Sequence, residues 1–209
     1  MVPLQKGELM FSRQLKFQKI LSYALIVMFA LLFLYSLSVI THVYVTLFSA
    51  FDPELEHPEW GSSGEKVKGA KLFYDMQPFN KQLLTVAIIV IIVSLTYFLT
   101  GSKNRRKYYI SNYVSAGIIA VTFVFAAIFT VVNVAKYRVA FLQVDFEALK
   151  TYNEPLGLPY SNSTFWFDLG FVISALLIIV AGLTVFNLIW KTTLMKKENA
   201  LLSGEGGIQ

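Results

Sequence analysis

Between Ile20 and Ile40 the chain carries no charged residue. Leu83 to Thr100 and Tyr113 to Ala135 repeat the pattern, as does Phe165 to Trp190 with a single acid, Asp168, near its start. A helix crossing roughly 30 Å of hydrocarbon needs about 20 such residues. The bilayer interior offers no water to backbone N–H and C=O groups, so a segment that must satisfy them internally becomes a helix. The second stretch is rich in β-branched residues and in water would suit a buried strand. Its eighteen uncharged residues select a membrane helix instead. The first is longer than the core of about 7–15 residues in a signal peptide.

The expected architecture is an all-α integral membrane protein, an up-down bundle of four transmembrane helices. It divides into a basic lead-in at 1–19, spans at 20–48, 83–100, 113–135 and 165–190, and a tail at 191–209. The connections are 49–82, 101–112 and 136–164. Composition agrees: 56% of residues are hydrophobic and 15% charged, where a soluble domain has about 25% charged.

Orientation follows from where Lys and Arg fall. Eleven of the 18 basic residues lie in the lead-in, the tail and the short loop holding Lys103, Arg105, Arg106 and Lys107. The other two connections hold nine of the 13 acids. Both termini are therefore expected in the cytoplasm, with 49–82 and 136–164 outside. The net charge of +5 resides at span ends, not on a basic patch interleaved with aromatics, so no nucleic acid partner is implied. Phe165-Trp166-Phe167, Trp190, Tyr108, Tyr109 and Tyr113 mark span ends as interfacial anchors. In the lead-in, Leu9, Met10, Phe11, Leu15 and Phe17 alternate with basic residues. This suits either a short interfacial helix or a solvated lead-in.

Cysteine is absent, which excludes disulfide staples, thiolate metal sites and cysteine nucleophiles. Asp52, Glu54, Glu56, His57 and Glu59 form an acidic cluster whose oxygens would suit a hard cation. Pro53 and Pro58 prevent a helix from aligning them, and the cluster reads as a solvated loop. No metal and no cofactor are expected. Asn162-Ser163-Thr164 matches a glycosylation acceptor but abuts the fourth span too closely to serve as one.

Three groups of residues stand out. His42, Asn133, Lys136, Arg138 and Asp168 lie near the outer span ends and could line a shallow outer vestibule. Asp168 also suits the start of a helix, where free N–H groups favour a carboxylate. Val139, Leu142, Phe146 and Leu149 make one helical stripe over 139–150 with an apolar face for a partner, fitting either a continuation of the third span above the membrane or a separate short amphipathic helix on the outer leaflet. Ala116, Ala120, Thr122, Ala126 and Thr130, with Gly170 and Ser174, are small residues at the four-residue spacing that lets helices approach. No ionisable residue is expected deep within a span, so a proton or ion relay through the membrane lacks its parts.

Function is then expected in one of three classes. The first is a non-catalytic accessory or structural subunit of a larger membrane complex such as a transporter, with other membrane subunits and the bilayer as partners. The second is a small-solute transporter or channel acting as an oligomer. The third is a membrane enzyme using the acidic loop on a lipid or envelope substrate. The lack of cysteine and of a usable glycosylation acceptor points to a bacterial plasma membrane.

Overall fold

The computed structural model describes residues 3–101 and 109–202. It is 85% helical, with no strand among the described residues, and four of its helices are long and apolar enough to cross a membrane. The chain is an all-α multi-pass membrane protein. The described residues form six α-helices: α1 (Pro3–Leu47), α2 (Leu72–Asp75), α3 (Gln77–Gly101), α4 (Tyr109–Leu142), α5 (Phe146–Asn153) and α6 (Phe165–Leu202). The basic loop of Lys103, Arg105, Arg106 and Lys107 lies outside the described residues.

All four long helices outrun their expected spans, α1 and α6 by the most. At 1.5 Å per residue, the 45 residues of α1 extend about 68 Å and the 38 of α6 about 57 Å. The lead-in and most of the tail are thus turns of the same helices. Pro3 stands in the first turn of α1, where its missing N–H has no partner to lose. The side chains of Leu9, Met10 and Phe11 lie outside the described ones.

The amphipathic helix begins later than 139. α4 continues through Leu142 and closes with tight turns, the N–H groups of Gln143 and Val144 donating to the carbonyls of Ala140 and Phe141. Asp145 then caps α5, its carboxylate accepting the Ala148 N–H at 3.0 Å. A side chain that satisfies free N–H groups this well fixes the helix start and breaks the 3.6-residue phase across it. Pro155 and Gly157, at φ +64°, end the segment.

The chain forms two compact units. The terminal unit comprises Met1–Ala30, Ile89–Phe125 and Leu176–Gln209; the loop unit comprises Leu31–Ile88 and Ala126–Ala175. Each long helix supplies a segment to both.

The loop unit is held by aromatic packing. Phe141 is fully buried, with its ring centroid 5.2 Å from Phe167, 5.0 Å from Phe146 and 6.0 Å from His42. Phe79 meets Tyr137 at 5.3 Å, and Phe51 meets Phe73 at 5.9 Å. The two connecting segments dock on each other. Asp145 donates its N–H to the Lys68 carbonyl at 3.1 Å, Ser49 donates to Asn153 at 2.8 Å, and Tyr137 reaches the Asp75 carbonyl at 3.3 Å. Gly69, at φ +86°, lets the backbone approach Val144; a Cβ there would lie 3.0 Å from the Val144 Cα. Gly170 is a second close approach, since a Cβ would collide with the Tyr35 hydroxyl.

Candidate functional sites

Of the five residues expected around one vestibule, the structure joins two. The Arg138 Nε lies 2.9 Å from Asp168 Oδ1, and Thr164 donates to the other carboxylate oxygen at 2.7 Å. Asp168 sits in the first turn of α6, where free N–H groups favour a negative charge. The other three go elsewhere. Asn133 donates to the Phe129 carbonyl of its own helix at 2.8 Å. Lys136 is exposed, its ammonium 5.1 Å from the Tyr137 ring. His42 places Nε2 3.2 Å from the Ser163 carbonyl oxygen.

His42 lines a cleft of about 430 Å³ that includes none of the other four. One wall is α1 at Leu37, Ser38, Thr41, His42, Val45 and Thr46; the other is Pro159, Tyr160, Ser161 and Trp166. Its lining contains no Asp, Glu, Lys or Arg. The anchoring trio also divides: Phe165 is exposed, Trp166 half-buried at this cleft, and Phe167 buried in the core.

The apolar stripe divides at Asp145. Leu149 is buried and Phe146 half-buried in the loop unit, so this part of the stripe is covered by the chain itself. Val139 and Leu142 stay exposed on the end of α4. Of the small residues, Ala116, Ala126, Thr130, Gly170 and Ser174 are buried, and Ala120 and Thr122 half-buried.

The acidic cluster is used within the loop. Asp52 accepts the Glu54 N–H at 3.0 Å. Glu56 accepts from Lys71 at 2.6 Å and from the Gly64 N–H at 3.0 Å. The Lys71 hydrogen bond, the Gly64 N–H and the lysine charge hold the Glu56 carboxyl below its ordinary value, and the same carboxylate raises Lys71. A Cβ on Gly64 would collide with the Asp52 carbonyl, so only glycine lets the strands of this loop meet. His57 stacks on Trp60 at 4.3 Å and lies 3.2 Å from Glu59. Among the described residues no group of three or more His, Asp or Glu is placed to hold a metal.

The terminal unit contains a polar core that the spans did not announce. Gln14 donates to Gln18 at 3.0 Å and to Asn187 at 2.9 Å, and Asn187 donates to the Tyr97 hydroxyl at 3.1 Å. Gln14, Gln18, Tyr97, Asn187 and Lys191 are each at most 3% exposed. Lys191, the first residue of the tail as read from the sequence, is thus a buried ionisable group on α6. The signal was present in the spacing: Gln14, Gln18 and Ser22 recur every fourth residue on α1, and Thr184, Asn187 and Lys191 share one face of α6. On a helix clothed in lipid, polar residues at that period turn inward.

No protein-family model matches the chain, and neither a curated protein nor a solved structure matches it.

Proposed function

We propose that the chain is a non-catalytic accessory or structural subunit of a larger complex in a bacterial plasma membrane, a transporter being the first complex to test. Both termini are placed in the cytoplasm and the loop unit outside. The observation that carries the reading is Trp60. It is 75% exposed on a loop otherwise stapled by its own acids, and Leu55 on the same loop is exposed as well. A large exposed ring stacked on His57 is a ready anchor for a partner surface. Leu156, on the second connecting segment, adds to the exposed apolar area.

Gentle extraction through a C-terminal tag tests this. A stoichiometric membrane partner that is lost from the double variant Leu55→Ser/Trp60→Ser, at unchanged yield of the chain, supports the reading. Recovery of the chain alone overturns it. Orientation is tested separately. The natural chain has no cysteine, so Lys150→Cys and Lys197→Cys give single labels free of background. An impermeant maleimide on intact cells should modify the first and spare the second.

The second reading is a small-solute transporter or channel acting as an oligomer, and the cleft beside His42 favours it. Uptake into proteoliposomes that falls in His42→Ala would establish it; uptake indistinguishable from empty vesicles would remove it.

A further inference from the structure

We propose that the cleft on α1 holds the head of one bilayer lipid bearing a primary ammonium, a phosphatidylethanolamine, with an acyl chain lying down the same helix face. Three observations meet there. The first is position. Leu34, Leu37, Thr41 and Val45 fall on one exposed face of a helix long and apolar enough to cross the membrane. That face is continuous with the lipid-facing surface of the span, so the molecule that reaches it is a lipid. Trp166 and Tyr160 on the opposite wall are the aromatics that favour the headgroup layer.

The second observation is the direction of the hydrogen bonds already made. Ser38 donates to the Leu34 carbonyl at 2.8 Å and Thr41 to the Leu37 carbonyl at 2.7 Å. Both hydroxyls have spent their protons and keep oxygen lone pairs. His42 Nε2 faces the Ser163 carbonyl, which can only accept, so that nitrogen carries the hydrogen. In the neutral ring Nδ1 is then an acceptor. Ser161, on the opposite wall, accepts the Ser163 N–H at 3.3 Å and keeps its own O–H to donate, which suits a phosphate oxygen. Along the α1 wall the site is thus a set of acceptors, and it wants a ligand with several N–H or O–H donors.

The third is charge. With no Asp, Glu, Lys or Arg in the lining and His42 neutral, the cleft has no fixed charge to neutralise an anionic head group. A zwitterionic head with a primary ammonium brings three donors and no net charge. Phosphatidylcholine has the same shape and charge but no N–H, and phosphatidylglycerol carries a net negative charge, so both serve as controls.

The test is native mass spectrometry of the full chain in micelles with equal amounts of phosphatidylethanolamine, phosphatidylcholine and phosphatidylglycerol. One phosphatidylethanolamine should be retained at least five-fold over either competitor. The double variant Ser38→Ala/Thr41→Val should abolish that preference. Leu37→Trp, at an exposed position, should remove the bound lipid by filling the cleft. Equal retention of the three lipids, or a preference untouched by the double variant, overturns the proposal. A variant that loses its fold is replaced by a measurement on the unaltered chain. A photoreactive phosphatidylethanolamine should label peptides spanning 34–46 and 159–166, and labelling confined elsewhere overturns it. Neither result depends on whether a protein partner is recovered.

Discussion

The two units solve the same problem with different chemistry. In the loop unit the buried surface is rich in aromatic pairs, with Phe51 on Phe73, Phe79 on Tyr137 and Phe141 on Phe167, and its ion pair, Arg138 with Asp168, lies at the margin. In the terminal unit the buried surface is partly amide, with Gln14, Gln18, Asn187 and Tyr97 joined by hydrogen bonds. Aromatic packing is tolerant of small rotations, since dispersion sums over many weak contacts. An amide pair holds only at one register, and in hydrocarbon it has few other partners to turn to. The terminal unit therefore specifies which turn of α1 meets which turn of α6, and the loop unit supplies area.

The largest effect expected from breaking this contrast is at Phe141. Phe141→Ala removes the ring shared by Phe146, Phe167 and His42 and should cost about 3–5 kcal/mol, read as a lower midpoint in denaturant titration of the detergent-solubilised chain. Next is Asn187→Leu, which leaves Gln14 and Tyr97 without their shared partner and should cost about 1–3 kcal/mol by the same titration. Substituting Gln14 as well, as Gln14→Leu/Asn187→Leu, should recover part of that loss, because the amide no longer lacks a partner. If the double variant falls by the sum of the singles, the two side chains are not coupled and the contrast fails. Gly170→Ala, where a methyl meets the Tyr35 hydroxyl, should cost about 1–3 kcal/mol and be partly rescued by Tyr35→Phe.

The smallest effect is pH-dependent and confined to the loop. The Glu56 carboxylate is the form that accepts from Lys71 and Gly64, and its titration lies below the ordinary 4.5. Its contribution is therefore complete above about pH 4.5 and fades as pH falls through the lowered value. Lys71 is raised above 10.5, so its share is complete below that pH and fades as pH rises further. Limited proteolysis between Ser49 and Met76 should be flat in the interval and rise at both ends. Glu56→Gln should weaken protection in the interval and remove the acid limb.

The spans were legible because hydrocarbon thickness imposes a length and excludes charge, and Ile20–Ile40 or Leu83–Thr100 meet both conditions without help from neighbours. The helix ends were not. Where water is available, continuing a helix and ending it differ by little, and the basic lead-in gave no sign that its Gln14 and Gln18 are buried. The five residues of the expected vestibule were grouped by position along the chain alone. Arg138 and Asp168 are near span ends in sequence and do pair, but which of His42, Asn133 and Lys136 joins them depends on helix rotation, which hydropathy does not encode. The stripe from Val139 to Leu149 runs across two helices for a local reason: Asp145 caps a new helix and resets the phase.

The bond from the Asp145 N–H to the Lys68 carbonyl also has a consequence for the order of synthesis. Asp145 follows Lys68 by 77 residues, which a ribosome making about 5–20 residues per second covers in about 4–15 s. During that interval the Lys68 carbonyl and the face that Gly69 turns toward Val144 have been translated without their partners. The first pair of spans cannot complete the loop unit when it enters the bilayer. Completion waits for α4 and α5, so a chain truncated between Gly101 and Leu142 should be recognised and degraded even though two of its spans are whole.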